Sequence, residues 1–202
     1  TLSGNNLTLD FQASQSGTAV IIIQGTSGGV TVTDTFTVTV NLFTASDIAT
    51  SADGARSVYA ADMDGDGDMD IVSASRDDDT IAWYENDGAA DPSWSATDID
   101  TNAVAAYGVF AADMDGDGDL DILSASYDDT IAWYENDGAE NPTWTAADIA
   151  PNADGANSVF AADIDGDGDM DIISASGLDD TIAWYKQVGS PELAGCTDGT
   201  AC

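Results

Sequence analysis

Histidine is absent from this chain, and only Arg56, Arg76 and Lys186 carry positive charge. Without an imidazole there is no ready general base at neutral pH and no nitrogen ligand for zinc. Without a basic surface there is nothing to hold phosphates. The 38 acidic residues bring the net charge to −35, which repels nucleic acid and anionic membranes and rules both out as partners. Cysteine is confined to Cys196 and Cys202 near the C-terminus, so the rest of the chain has no thiolate nucleophile. The two could pair with each other in an oxidising compartment or with residues farther along a longer chain. No hydrophobic run approaches the length of a membrane span, and no basic-then-apolar leader is present. Lys and Glu are scarce while Ala, Gly, Ser, Thr and Asp dominate, which favours strands and turns over helices.

What is present is acidic and periodic. AADMDGDGDMDI at 60–71 recurs as AADMDGDGDLDI at 111–122 and AADIDGDGDMDI at 161–172. The loops begin at Asp62, Asp113 and Asp163, spaced 51 and then 50 residues apart, and together they hold fifteen of the 38 acids. Asp62, Asp64, Asp66, Asp68 and Asp70 fall at positions 1, 3, 5, 7 and 9 of the first loop. Asp113, Asp115, Asp117, Asp119 and Asp121 repeat this in the second, and Asp163, Asp165, Asp167, Asp169 and Asp171 in the third. Alternate side chains of a tight loop converge, and the glycine at position 6 permits the left-handed turn that brings position 7 back, where a backbone carbonyl would serve as ligand. Position 9 is expected to close the shell with both carboxylate oxygens. An all-oxygen set of this kind suits calcium, about one ion per repeat; magnesium demands a tighter octahedron, and zinc wants nitrogen or sulfur.

An EF-hand needs an acid at position 12 and a helix beyond it. Position 12 here is Ser73, Ser124 or Ser174, and β-branched residues follow. Each loop instead lies between two short strands: SVYAA, GVFAA or SVFAA before it, and DIVSAS, DILSAS or DIISAS after it. A third strand, TIAWY, follows at 80–84, 130–134 and 181–185, and FTASDIA, WSATDID and WTAADIA open the stretches at 43, 94 and 144. Four strands per fifty residues, bounded by turns, predict propeller blades. This pattern of D-x-D-x-D-G-x-x-D followed by a strand resembles the FG-GAP and VCBS repeats of integrin-type propellers and bacterial surface proteins. The resemblance spans 43–189, divided as 43–93, 94–143 and 144–189. It implies calcium binding and a secreted or cell-surface location, bacterial by the kinship of the repeats. Ser-Ala-Ser at 73–75, 124–126 and 174–176 replaces the Gly-Ala-Pro that names FG-GAP repeats, so integrin-like ligand recognition does not carry over.

Residues 1–42 are different in character. LTLDF (7–11), AVIIIQ (19–24) and VTVTDTFTVTV (30–40) read as strands, with GTSGG (25–29) as a hairpin turn. They resemble part of a cadherin-like or immunoglobulin-like β-sandwich. A sandwich whose missing strands come from a neighbour would polymerise by strand complementation. The stretch 190–202 reads as a tail or linker, and its GCTDGTAC resembles repeats near the ends of large secreted bacterial proteins. The chain is accordingly expected to be one portion of a longer extracellular protein. Asn6-Leu7-Thr8 fits a glycosylation sequon.

The fold class expected is all-β: three four-stranded blades forming a partial or open propeller, preceded by part of a β-sandwich. Three blades are fewer than the roughly four to eight of closed propellers, so the array is expected to be an arc or part of an assembly. Trp83, Trp133 and Trp184 share a strand face with Ile81, Ile131 and Ile182 and read as packing between blades. Tyr84, Tyr134 and Tyr185 point the other way and read as surface contacts. Glu85 and Glu135 match each other, but Lys186 stands at the third position, so they mark no repeated catalytic site. The function expected is non-catalytic, a calcium-binding structural or adhesion module, with other domains or further copies of the chain as partners and a filament subunit as its sharper form. The alternatives are a glycan-binding propeller and an accessory domain of a secreted polysaccharide-degrading enzyme.

Overall fold

The computed structural model describes residues 2–3, 6–7, 16–41 and 43–188. Most of the LTLDF strand, the sequon's Thr8 and both cysteines lie outside these residues. Two compact units are present, Thr1–Asp47 and Ile48–Cys202.

In the first unit, Leu2–Ser3 (β1) pairs with Asn6–Leu7 (β2), and Gly17–Ser27 (β3) pairs with Val30–Val40 (β4) in an antiparallel hairpin. Its turn is Gly28-Gly29, both at positive φ (58° and 82°), the left-handed pair that a two-residue hairpin loop requires. Val20, Ile22, Val30 and Val32 are exposed on this hairpin.

The second unit is built from antiparallel sheets. Ala55–Ala61 (β5), Asp70–Ser75 (β6), Thr80–Asn86 (β7) and Trp94–Asp100 (β8) form the first, in sequence order. Ala106–Ala112 (β9), Asp121–Ser126 (β10), Thr130–Asn136 (β11) and Trp144–Ala150 (β12) form the second in the same order. The third contains three strands among the described residues: Ala156–Ala162 (β13), Asp171–Ser176 (β14) and Thr181–Tyr185 (β15). These are blades of the expected kind, and the array does not close on itself. The unit that folds is offset by one strand from the unit that repeats: WSATDID and WTAADIA close the sheet before them. Phe43–Ala49, which carries the matching sequence ahead of blade one, lies outside any strand.

Period-two alternation gives each blade two apolar faces, and the core lies between blades. Ala61, Met63, Val72, Ala74, Ile81 and Trp83 of blade one pack against the opposing face of blade two, centred on Val109, Ile122 and Tyr134. Met114, Leu123 and Ile131 of blade two meet Val159, Ala161 and Ile172 of blade three in the same way. Small residues let the sheets approach. A Cβ on Gly108 would stand 3.3 Å from the backbone of Asn157 and Ser158 on the neighbouring blade, and the Ser-Ala-Ser segments are largely buried in the second strands.

Burial corrects one expectation. Tyr84 and Tyr134 are buried, not surface contacts, and Tyr134 donates its hydroxyl to Asp100 Oδ2 at 2.9 Å. Tyr185 on the third blade is half-buried. Trp83 is buried and Trp133 packs against the second core cluster, as the reading of the indoles as interblade packing required, whereas Trp184 on the third blade is half exposed.

Candidate metal centres

Each acidic loop connects the first strand of a blade to the second, and two glycines shape it. In the first loop Gly65 and Gly67 adopt φ of 75° and 99°, in the left-handed region that side-chain-bearing residues avoid, and the other two loops repeat these values within a few degrees.

Position 9 anchors the loop. Asp70, Asp121 and Asp171 are fully buried at the start of the second strand. Asp70 Oδ2 accepts the Met63 N–H (3.1 Å) and its Oδ1 accepts the Asn86 N–H (2.9 Å). Asp121 binds the Met114 and Asn136 N–H groups at 3.0 and 2.8 Å, and Asp171 those of Ile164 and Gln187 at 3.2 and 2.9 Å. One carboxylate at the start of the second strand thus ties the beginning of the loop to the end of the third strand. These oxygens, expected to serve only the ion, also satisfy buried backbone donors. Burial pushes the Asp121 carboxyl up to about 6, against the opposing pull of those two hydrogen bonds.

Positions 1, 3 and 5 converge. Carboxylate oxygens of Asp62, Asp64 and Asp66 lie within 4.8 Å of one another, as do those of Asp113, Asp115 and Asp117. Asp62 Oδ2 and Asp113 Oδ2 accept the Gly67 and Gly118 N–H groups (3.0 and 3.1 Å), closing the turn. Asp62 Oδ1 is buried with no hydrogen-bond partner. A buried carboxylate oxygen facing two further carboxylates is costly unless a cation meets it, so these residues fit a hard divalent ion. Burial, and then the charges of Asp66, Asp70 and Glu85, raise the Asp64 carboxyl above its ordinary range.

Position 7 points elsewhere. A Cβ built on Gly88 would fall 2.2 Å from Asp68 Oδ2, and one on Gly138 2.0 Å from Asp119 Oδ2, so these carboxylates lie against the turn after the third strand. That leaves the backbone as position 7's route to an ion, the route the loop pattern predicts. The side chain of Asp169 has no comparable contact among the described residues.

The third loop differs. Its convergent set is Asp163, Asp165 and Asp171. Lys186 contacts Asp165 Oδ2 and lies 3.0 Å from Asp167 Oδ2. Hydrogen bonds to Asp165 and then Asp167 hold the ammonium above its usual range, and Lys186 in turn lowers Asp167. A positive charge of the protein's own therefore sits among two of the ligand carboxylates.

Sequence reasoning missed Asn86 and Asn136. Asn86 Nδ2 donates to the Met69 carbonyl at 3.0 Å, and Asn136 Nδ2 to those of Leu120 and Met63, each at 3.0 Å, the latter in the loop of the preceding blade. Their Oδ1 atoms accept the Gly88 and Gly138 N–H groups. The signal was the exact recurrence of WYENDG at 83–88 and 133–138.

A pH dependence follows from Asp121. A carboxyl whose folded pKa lies above its unfolded value of 3.8 binds its proton more tightly when folded. In metal-free protein its contribution to stability therefore grows as pH falls through about 6 towards 3.8, while cation binding, which needs the carboxylate, weakens over the same interval. The difference in melting temperature between calcium-loaded and chelated protein is expected to narrow between pH 7 and pH 5. A constant difference across paired melts would contradict this.

No curated protein matches the chain. The FG-GAP-like repeat matches it in two overlapping stretches, 62–124 and 113–174, each running from the first aspartate of one loop to the middle of the strand that follows the next loop. Together the stretches cover more than half of the residues and all three acidic loops, within the sheets that those loops connect, and on this match the chain belongs to the FG-GAP-like repeat family.

Proposed function

We propose that the acidic loops bind calcium and that the chain is a non-catalytic structural or adhesion module of an extracellular protein. The observation that carries this reading is the threefold convergence of carboxylates, with Asp62 Oδ1 buried and unpaired at the centre of the first set. Calcium accepts six to eight oxygens in irregular geometry, and extracellular modules bind it at about 10⁻⁴–10⁻³ M, a range filled outside cells and not in the cytosol. The net charge of −35 favours the same conclusion, because bound cations relieve self-repulsion in the folded state. The ion's role is structural: it fastens the turn between the first two strands of a blade. The repeat type, the exposed valines and isoleucines of the β3–β4 hairpin and the lack of histidine agree with assembly or adhesion in place of catalysis. The glycan reading loses two of its three candidates, because Tyr84 and Tyr134 are buried, while Tyr185 is half-buried.

Calorimetric titration with calcium tests this. Two ions are expected to bind with similar affinity and a third at least tenfold more weakly, because Lys186 must leave Asp165 and Asp167 before an ion can enter. Lys186→Glu, which restores the residue of Glu85 and Glu135, is expected to bring the third site level with the others. No heat of binding at millimolar calcium would refute calcium binding itself. Three equal sites in the unaltered protein would refute only the role given to Lys186.

A further inference from the structure

Glu85, Glu135 and Lys186 occupy one place in three copies of the same blade. Each follows the tyrosine that ends the pairing of the third strand with the second: Ile71 faces Tyr84, Ile122 faces Tyr134 and Ile172 faces Tyr185. The next residue then donates its backbone N–H to Oδ1 of the position-9 aspartate. Asn86 donates to Asp70 at 2.9 Å, Asn136 to Asp121 at 2.8 Å and Gln187 to Asp171 at 2.9 Å. Strand pairing on one side and this bond on the other hold the intervening residue beside the acidic loop in all three blades.

Lys186 shows how far a side chain reaches from that place. Its ammonium touches Asp165 Oδ2 and lies 3.0 Å from Asp167 Oδ2, at positions 3 and 5 of the third loop. A positive charge between those carboxylates stands where the loop pattern calls for the ion. A glutamate at the same place is one bond shorter, so its carboxylate oxygen stops just short of that point, on the side the loop leaves open. Calcium ligands stand about 2.3–2.6 Å from the ion, a gap that rotation of the glutamate side chain sets.

The first loop has both the need for such a ligand and a sign of it. Positions 1, 3 and 5 offer carboxylates and position 7 a carbonyl, while both oxygens of Asp70 already accept backbone N–H groups. Calcium takes about six to eight oxygens, so its shell has room for more. Burial first, and then the charges of Asp66, Asp70 and Glu85, raise the Asp64 carboxyl, which places Glu85 near the loop's centre. Among the described residues no lysine or arginine pairs with Glu85 or with the first loop. A further carboxylate gathered towards the others is unfavourable unless a cation lies between them.

We infer that Glu85 and Glu135 are ion ligands supplied from outside the loops, so that a bound cation clamps the third strand to the loop in the first two blades. In the third blade Lys186 makes the same clamp with its own charge. The third strand is then held to its loop only in calcium in blades one and two, and in calcium or chelator alike in blade three. This inference rests on the calcium reading above and adds one residue to each of the first two sites.

Two measurements test it: calcium calorimetry, and europium luminescence lifetimes in H2O and D2O, which count the waters left on a bound ion. Glu85→Ala and Glu135→Ala combined are expected to weaken the two strong sites about tenfold and to add about one water per ion, with strand content in chelator unchanged. At the third loop Lys186→Ala removes the ammonium and supplies no oxygen, whereas Lys186→Glu does both. The glutamate variant is expected to bind the third calcium about tenfold more tightly than the alanine variant. Equal affinities of these two variants would overturn the inference. So would weaker binding with an unchanged water count in the double variant, because the glutamates would then act by charge at a distance. No heat from calcium in the unaltered chain would sink the calcium reading, and this inference with it.

Discussion

Removing calcium is expected to lower the melting temperature of the blade unit by about 10 °C. At calcium tenfold above the dissociation constant, each occupied loop contributes about 1.4 kcal/mol. Two unobstructed loops and a weaker third give about 3–4 kcal/mol, a large share of the roughly 5–15 kcal/mol typical of a domain. For a unit of this size each kcal/mol moves the midpoint by about 2–4 °C. The loops connect the first two strands of every blade, so their loosening is felt in each sheet. Scanning calorimetry with calcium and with chelator measures the effect directly; superimposable melts would mean that the loops hold no ion that matters to the fold.

The second large effect separates two kinds of aspartate that look alike in the sequence. Asp121→Ala is expected to destabilise the protein by about 4 kcal/mol even in chelator, because it orphans the buried Met114 and Asn136 N–H groups. Asp117→Ala is expected to cost less than about 1 kcal/mol under the same conditions, since Asp117 is exposed and accepts only the Asp119 N–H within its own turn. In calcium both variants lose the second site. Denaturant unfolding of the two variants in chelator decides the matter: equal losses would mean that position 9 has no role apart from the ion.

Much of this was legible beforehand because it is written in periods. Three copies of one loop at fixed spacing, alternating apolar strands and glycines at the left-handed positions define blades and convergent carboxylates with no help from tertiary structure. What could not be read required knowing which strands share a sheet. The sequence repeat begins at Phe43, but a sheet ends with the strand after it, so TIAWYEN pairs with WSATDID across a turn that looks like a boundary. The tyrosines were misjudged for a related reason. Alternation shows that Tyr134 and Trp133 face opposite ways, but not that both directions lead into packed neighbours. Position 9 was read as a ligand only, because the backbone donors it serves come from residues far along the chain: Asn86 lies 16 residues beyond Asp70. Lys186 stood out as a break in a repeated glutamate, yet only the folded blade brings it to Asp165 and Asp167.

The hydrogen bond from Asn136 to the Met63 carbonyl reaches from the second blade into the first acidic loop. An ion that orders that loop would also hold the Met63 carbonyl in place for the second blade. The matching position on blade three is Gln187, whose side chain makes no such bond among the described residues. The first and second blades are therefore tied through an acidic loop by a bond that the second and third lack among the described residues. Ion removal is accordingly expected to loosen the first pair of blades more than the second.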